Sequence, residues 1–475
     1  MTARGLFTAV LLLIALGAGF GAATIVAPAG GVTGVDCTAT EQAKAQAALN
    51  KFIRSMPAAQ KAFNRTHKQP QARAAFARKQ RATLKRLRAA AACTVQTTTE
   101  TTVETTPGSA CAPSLDPAGN PTNGAGTLRN AGVRGIGTLN AVMLFVDFPD
   151  AAATETTRSL YDVLAPGSER NFAAQSFGRL ALHITEDPHW YRMSKNASDY
   201  GLTRATASGG HEGHRAYMQE AVNLADANVD FRGYQLVYVV STSNAKAIDF
   251  SPAFVANRDG GASALKADGT VIYAGATFGT DFFRRHILEH ETGHDFGLPD
   301  YYDGRSGSTD WNQLYHFAGA WSIMSAVDLG GEFFAWDKYR LGWIDPPQIR
   351  CQDEPGSTTQ TLSPVETPGG LKMILAKTGP STAYVAEVRS RAGGDVDRCS
   401  FGVLVYAFDA RVLSGSGPLQ VKTSHPGTDR TKIARCNVLY DAPLRSGESW
   451  EDEAVRVEVL SPGPNGSYNV RVTRK

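Results

Sequence analysis

The sequence predicts an α+β protein in which a helical N-terminal segment precedes a mixed helix-and-strand region and a C-terminal antiparallel, sandwich-like β domain. Three observations support this fold class. Alanine, glutamine, lysine and arginine, which favour helices, dominate residues 40–92. Helix-like and strand-like stretches alternate from about residue 127 to residue 345. Short strand-like runs separated by Gly, Pro, Ser and Asp then follow Pro346 and Pro347.

Length and composition exclude several classes of protein. The chain has 475 residues, enough for about three domains of roughly 150 residues each. With 42% hydrophobic and 20% charged residues it can bury a core, so a disordered or fibrous protein is excluded. The net charge is only +3, so no global field marks a nucleic-acid binder. We expect no nucleic-acid partner and a monomeric protein.

The N-terminus predicts export. Residues 1–29 combine a single positive charge at Arg4, a long apolar run and small residues between Ala18 and Ala29, a pattern typical of a secretory signal peptide. The alternative is an uncleaved anchor helix, which the glycines and alanines from Gly17 onward disfavour. We therefore expect the mature protein to be secreted.

Cysteine usage agrees with an oxidising environment. No CxxC pair is present, and an even number of cysteines in an exported chain favours disulfides over zinc knuckles. Sequence does not choose among the pairings, although Cys37–Cys93 and Cys399–Cys436 require the least contorted chain. The six cysteines are Cys37, Cys93, Cys111, Cys351, Cys399 and Cys436.

The predicted helical segment, residues 30–93, is strongly basic. Residues 40–92 contain thirteen lysines and arginines against Glu41 alone. One interpretation is a solvated pro-segment or spacer. The other is electrostatic docking, either onto the more acidic remainder of the chain or onto an anionic cell envelope. Residues 94–126, rich in threonine at their start, predict an exposed linker that proteases cut.

The stretch FFRRHILEHETGHDFGLPDYYD, residues 282–303, carries the predicted chemistry. His290 and His294 are four residues apart, so on a helix they lie on one face and can bind the same zinc ion. Glu291 lies beside that face, where it can accept a proton from a metal-bound water. This HExxH pattern is a specific signal for a zinc hydrolase.

A catalytic zinc ion usually has three protein ligands, so one more is needed. His286 is four residues before His290, but it lies too far along the helix from His294 to share an ion. Gly297 can instead end the helix in a left-handed cap, and Pro299 prevents its continuation. The chain that turns back there would bring Asp300 toward the metal.

The motif HETGHDFGLPD resembles the HExxHxxGxxD signature of the immune inhibitor A-like family of secreted bacterial metallopeptidases, which are metzincin-like zincins. LFVDFPD, LPDYYD, GAWSIMS and FFAWDKYRLGWID are also similar to that family. The resemblance covers residues 139–475. It implies a zincin-like catalytic domain at 127–345 and a β domain at 346–475. It further implies zinc ligands His290, His294 and Asp300, a general base Glu291, and a Met-turn at Met324.

The predicted function is a secreted zinc endopeptidase that cleaves extracellular proteins or peptides. Glu291 would take a proton from a zinc-bound water, which attacks the peptide carbonyl, and then pass it to the leaving amine. Two alternatives stay open. One is a zinc hydrolase acting on another amide or on an ester. The other is a catalytically silent binding protein, which the intact Glu291 disfavours.

Further candidate residues carry weaker signals. Tyr339 and His316 are candidates, by position only, for a second oxyanion donor. His211 and His214 resemble half a zinc motif, but they are three residues apart and are expected to begin a surface helix. Asp300, Asp303 and Asp310 form an acidic loop that could hold structural calcium, although turn residues are the expected role because no EF-hand spacing is present.

Overall fold

The protein is a mixed α+β protein with several sheets and few helices, as the sequence predicts. The computed structural model describes scattered positions between residues 36 and 95, then residues 132–475 without 205–209, 257–262, 282–285, 309 and 427–437. The chain forms two compact units, within residues 1–102 and 103–475. Among the described residues no helix is long and apolar enough to span a membrane. The predicted signal peptide and most of the predicted linker lie outside the described residues.

In the first unit, described positions between residues 44 and 90 are helical, and β1, Asp36–Cys37, pairs in parallel with β2, Thr94–Val95. Apolar residues at helical spacing face inward: Leu49 is buried and Phe52 is half-buried. The rings of Phe63 and Phe76 stack with centroids 4.1 Å apart. Every described lysine and arginine of this segment is exposed.

The second unit begins with a five-stranded sheet in the order β4-β3-β5-β9-β6. All neighbours are parallel except the edge strand β6, which is antiparallel to β9. A small hairpin of β7 and β8 lies outside this sheet. The strands are β3 Gly137–Asp147, β4 Leu180–Arg192, β5 Leu236–Ser241, β6 Ala253–Val255, β7 Leu265–Ala267, β8 Thr270–Ile272 and β9 Ala274–Phe278.

Helices cover both faces of this sheet. Strand β3 is a nearly continuous apolar run because a parallel strand covered on both faces buries every side chain. Met143 and Phe145 belong to the core cluster that contains α1 and α3, whereas Leu144 and Val146 belong to the cluster that contains α2. The helices are α1 Thr157–Gln175, α2 Gly210–Ala225, α3 Ile287–Asp295, α4 Trp311–Leu314 and α5 Ala335–Arg340.

Two further sheets follow, one in the order β10-β12-β13-β14-β15 and one in the order β11-β18-β17-β16. Their pairs are antiparallel, as predicted, except for parallel β10 and β12. This exception arises because β11, between them in sequence, belongs to the other sheet. The strands are β10 Ile349–Gln352, β11 Gly356–Leu362, β12 Met373–Lys377, β13 Thr382–Arg389, β14 Gly402–Asp409, β15 Leu419–Lys422, β16 Ser449–Glu451, β17 Val455–Pro462 and β18 Tyr468–Arg474.

The sheet that contains β12 and β14 is buried on both faces. Ile374 and Val403 pack toward the four-stranded sheet, in the predicted sandwich arrangement. Met373 and Leu404 on the opposite face join the cluster that contains α1 and α3. Residues on both sides of the predicted 345/346 boundary therefore share one core, and that boundary stays a prediction.

Two of the six cysteines are described with their side chains. Cys351 and Cys399 are each in a disulfide. The predicted pairs Cys37–Cys93 and Cys399–Cys436 each include a cysteine outside the described residues, so they stay predictions.

Candidate metal centre

Helix α3 carries the HExxH motif and is fixed to the first sheet by its polar side chains. The hydroxyls of Thr292 and of Tyr238 on β5 are 2.8 Å apart. The Asp295 carboxylate accepts a 3.0 Å hydrogen bond from the backbone N–H of Gly275 on β9. Both anchors lie on the sheet side of the helix, so His290 and His294 are left to face the other way.

The end of α3 has the geometry that the sequence predicts. Gly297 has a φ of +90°, the left-handed conformation that glycine adopts without strain. Its N–H donates to the His294 carbonyl over 2.8 Å, and the Leu298 N–H donates to the Gly293 carbonyl over 2.9 Å. This pair of bonds is a Schellman motif, and it turns the chain back toward the helix.

The turned chain brings Asp300 to the two histidines. Asp300 Oδ1 lies 3.2 Å from His290 Nε2 and 3.2 Å from His294 Nε2. The two Nε2 atoms are themselves 3.2 Å apart. The three atoms form an equilateral triangle, and we call His290, His294 and Asp300 the metal cluster.

Backbone carbonyls fix which imidazole nitrogen points into the triangle. His290 Nδ1 lies 2.9 Å from the Ile323 carbonyl oxygen, and His294 Nδ1 lies 2.8 Å from that of Leu298. A carbonyl only accepts hydrogen bonds, so each Nδ1 carries a proton and each Nε2 points inward, where its lone pair is available to a metal ion once that nitrogen is deprotonated. Asp300 Oδ1 is buried without a hydrogen-bond partner. The two Nε2 atoms and Asp300 Oδ1 thus converge on one point, where a cation, either a proton or a metal ion, offsets the carboxylate charge.

The dimensions of the triangle fit zinc. Ligands about 2.0–2.1 Å from a tetrahedral zinc ion lie about 3.3–3.4 Å from one another, close to the observed edges. Two imidazoles and one carboxylate are also a usual catalytic zinc set, which keeps the fourth position open. Among the described residues no other group of three or more His, Cys, Asp or Glu side chains could hold a metal ion.

The pKa values of the side chains also indicate that a positive charge is favoured at this site. Burial alone would favour neutral His294, but the Asp300 carboxylate outweighs it and raises the pKa of His294 to about 10. The histidines in turn outweigh the effect of burial on Asp300 and lower its pKa. Burial raises the pKa of Glu291 to about 7, against the opposing effect of His290. A carboxyl group with a pKa near neutrality is well suited to moving a proton.

Met324 lies beneath α3. Its side chain is fully buried, its carbonyl accepts a 2.8 Å hydrogen bond from the Tyr301 N–H, and its own N–H donates to the Ser322 hydroxyl. A Cβ atom at Gly293, between the two histidines, would lie 2.4 Å from the Met324 sulfur. A side chain at position 293 would therefore displace Met324, which favours glycine there, and a glycine inside a helix is a sequence signal of such close packing.

The two predicted oxyanion donors have other described contacts. The Tyr339 ring packs on Trp336, and His316 Nδ1 lies against the Gln313 carbonyl. Tyr302, which the sequence analysis did not single out, is close to the cluster instead. Its ring stacks 6.3 Å from that of His290, and the Asp300 charge raises its pKa well above the ordinary value. Its position two residues after Asp300 is the one sequence signal for it.

The remaining candidates from the sequence, His214, Asp303 and Asp310, contact neighbouring protein groups. His214 is buried in α2 and contacts the Thr277 hydroxyl over 2.9 Å, which corrects the expectation of a surface position. The Asp303 carboxylate accepts from the Arg305 N–H, and the Asp310 carboxylate accepts from the Asn312 N–H. Both aspartates therefore stabilise turns, and calcium binding in this loop stays a prediction.

Comparison with known proteins gives no family. No protein-family model matches the chain, and no curated protein matches it.

Proposed function

We propose that this protein is a secreted zinc endopeptidase that hydrolyses peptide bonds of extracellular proteins. The observation that carries the proposal is the metal cluster, with the carboxyl of Glu291 next to it in sequence on the same helix. The 3.2 Å triangle, the tautomers fixed by two carbonyls and the unpartnered Asp300 oxygen all support zinc. The resemblance to immune inhibitor A-like peptidases supports the same function.

The residues of the chain divide the work between holding and proton transfer. His290, His294 and Asp300 would hold the ion, with Met324 packed beneath the helix that carries the two histidines. Bound zinc supplies a Lewis acid that acidifies a water molecule and polarises a carbonyl group. Glu291 accepts a proton from the water molecule that attacks the scissile carbonyl and returns it to the leaving amine.

The sheet edge favours a peptide substrate over a small amide or ester. Among the described residues, strand β6 is the edge strand of the first sheet and pairs only with β9. Helix α3 packs against both β6 and β9. An extended peptide can add to such an edge through backbone hydrogen bonds, next to the helix that carries the two histidines.

Secretion rests on the predicted signal peptide, residues 1–29. The disulfide-bonded Cys351 and Cys399 support it, because disulfides persist mainly in oxidising compartments.

The test is paired measurement of bound zinc and hydrolysis of unfolded casein by the wild-type protein and by Glu291→Gln. The substitution keeps size and shape but removes the basic lone pair. Zinc should remain near one ion per chain, while turnover should fall on the order of a hundredfold or more.

The matched control is Glu289→Gln, on the same helix. Glu289 is also buried, but its carboxylate accepts a 2.7 Å hydrogen bond from Asn171, which glutamine can still accept. We expect its activity to stay within a few-fold of wild type. Wild-type protein with bound zinc and no activity on casein would favour another hydrolase or a binding protein. Full activity of Glu291→Gln would overturn the assigned base.

A further inference from the structure

The loop between β14 and β15, residues 410–418, contacts the loop that carries Asp300. The Gly415 N–H donates to the Asp300 carbonyl over 3.1 Å, and the Gly304 N–H donates to the Gly415 carbonyl over 3.0 Å. Gly415 has a φ of +66°, and a Cβ there would lie 3.4 Å from the backbone of Gly304. A glycine at this position lets the two backbones approach, so the C-terminal β region is joined directly to the third-ligand loop.

Ser414 holds Asp300 at two atoms at once. Its hydroxyl oxygen accepts a 2.8 Å hydrogen bond from the Asp300 N–H, and the same hydroxyl donates to Asp300 Oδ2 over 3.1 Å. A hydroxyl has one proton to give and two lone pairs, so both bonds can form together. One side chain thus fixes the backbone and the carboxylate of the same residue.

The hydrogen bond from Ser414 to Oδ2 also determines the position of the other carboxylate oxygen, Oδ1. With Oδ2 held by Ser414, the carboxylate plane is oriented and Oδ1 is the oxygen that lies 3.2 Å from both histidine Nε2 atoms. Oδ1 has no hydrogen-bond partner of its own. Without the Ser414 hydroxyl the carboxylate could rotate or exchange its two oxygens, and the triangle would lose its third corner for part of the time.

We propose that Ser414 is a positioning residue of the metal centre, and that the C-terminal β region completes this centre by supplying it. Partners that orient a metal ligand commonly change metal affinity by about 10–100-fold when removed. The inference rests on the proposed function only in taking the metal cluster as the zinc site. It gives the C-terminal β region a role in metal binding.

The test measures zinc affinity directly, by competition of the full-length protein with a chromophoric chelator, without reference to activity. Ser414→Ala removes both hydrogen bonds and should weaken zinc binding about 10–100-fold. Ser414→Thr keeps the hydroxyl and should stay within a few-fold of wild type. Ser416→Ala is the matched control: Ser416 lies in the same loop, its N–H donates to the Leu413 carbonyl, and it should bind zinc as wild type does.

A spectroscopic measurement separates positioning from folding. The visible absorption of Co²⁺ bound in place of zinc reports ligand geometry, so it should change in Ser414→Ala and return in Ser414→Thr. Melting of the chelator-treated variants should match that of chelator-treated wild type. Ser414→Gly, which also removes both hydrogen bonds and adds no metal-binding group, carries the test if the alanine variant does not fold.

The outcomes are distinguishable. Wild-type protein that binds no zinc would overturn the metal site and the proposed function together. Zinc affinity and a Co²⁺ spectrum unchanged in Ser414→Ala, with wild type binding one ion, would overturn the Ser414 inference and leave the proposed function standing.

Discussion

Two buried groups of charged side chains in the same compact unit differ in how their carboxylates are neutralised. One is the metal cluster. The other, which we call the ion cluster, joins the segment around α5 to the sheet that contains β13. Each of its side chains is at most 1% exposed, and its members are Glu332, Lys338, Glu387, Arg389 and Asp395.

The ion cluster contains its own cations. Arg389 donates to Glu387 over 2.5 Å and to Asp395 over 2.7 Å, and Lys338 donates to Glu332 over 2.5 Å. The remaining carboxylate oxygens also have partners. Glu387 Oε2 accepts from the Ala335 N–H and the Tyr406 hydroxyl, and Glu332 Oε2 accepts from the Gly394 N–H. The cost of burying these carboxylates is offset within the chain.

The metal cluster contains no lysine or arginine. Its carboxylate has one oxygen without a partner, facing two imidazoles whose other nitrogens are already bonded to carbonyls. Burial of acidic groups alone therefore does not identify a functional site. The distinguishing feature is a buried carboxylate oxygen that lies 3.2 Å from two imidazole nitrogens, because three such ligand atoms can share one external cation.

The largest effect is expected in the ion cluster. Arg389→Met removes the cation shared by Glu387 and Asp395 and leaves two buried carboxylates uncompensated. The free energy of unfolding should fall by about 3–5 kcal/mol. Urea denaturation in the presence of chelator measures it, since zinc then plays no part.

The matched control for this substitution is Arg411→Met. The Arg411–Asp409 pair is largely exposed, at 59% and 28% of the two side chains, so its loss should change stability by less than about 1 kcal/mol. Similar losses of stability for Arg389→Met and Arg411→Met would show that the ion cluster does not stabilise the fold more than an exposed ion pair does.

A smaller effect on stability, which depends on bound zinc, is expected for Asp300→Ala. With the proposed zinc site, zinc at a free concentration a hundred times its dissociation constant is expected to stabilise the wild-type protein by about 2.7 kcal/mol. Asp300→Ala should lose most of that gain, so its unfolding temperature should respond little to zinc, whatever the substitution does to stability in chelator. Thermal unfolding with and without zinc gives both quantities.

Asp303→Ala provides the comparison for Asp300, since Asp303 caps a turn nearby and lies outside the metal cluster. Its stabilisation by zinc should equal that of wild type. A loss of zinc response in Asp303→Ala that is retained in Asp300→Ala would move the third ligand to Asp303.

The smallest effect concerns the uncharged packing beneath the metal cluster. Gly293→Ala would place a Cβ against the Met324 sulfur and should cost about 1–3 kcal/mol of stability. In the double variant with Met324→Ala the two effects should not add, with a coupling of about 0.5 kcal/mol or more. Urea denaturation of the four proteins gives the cycle, and strict additivity would mean that the helix shifts away from Met324.

The sequence by itself determined the local features of this protein. Four-residue spacing placed His290 and His294 on one helical face, and glycine with proline fixed the turn after Phe296, because these effects depend only on helix geometry and allowed backbone angles. The pattern of apolar runs likewise predicted an α+β fold. The roles of Glu291 and Met324 stay predictions, although the structure gives both buried positions consistent with them.

Only the tertiary structure decided what completes the metal cluster. Ser414 lies 114 residues from Asp300 in sequence, and the Ile323 carbonyl lies 33 residues from His290. Neither serine nor a backbone carbonyl carries a sequence signal, since both occur everywhere in a protein. Ser414 comes close to Asp300 when the sheet that contains β14 and β15 packs on the core that contains α1 and α3. In both cases hydrogen bonds act over about 3 Å, so only the folded chain sets which groups come that close.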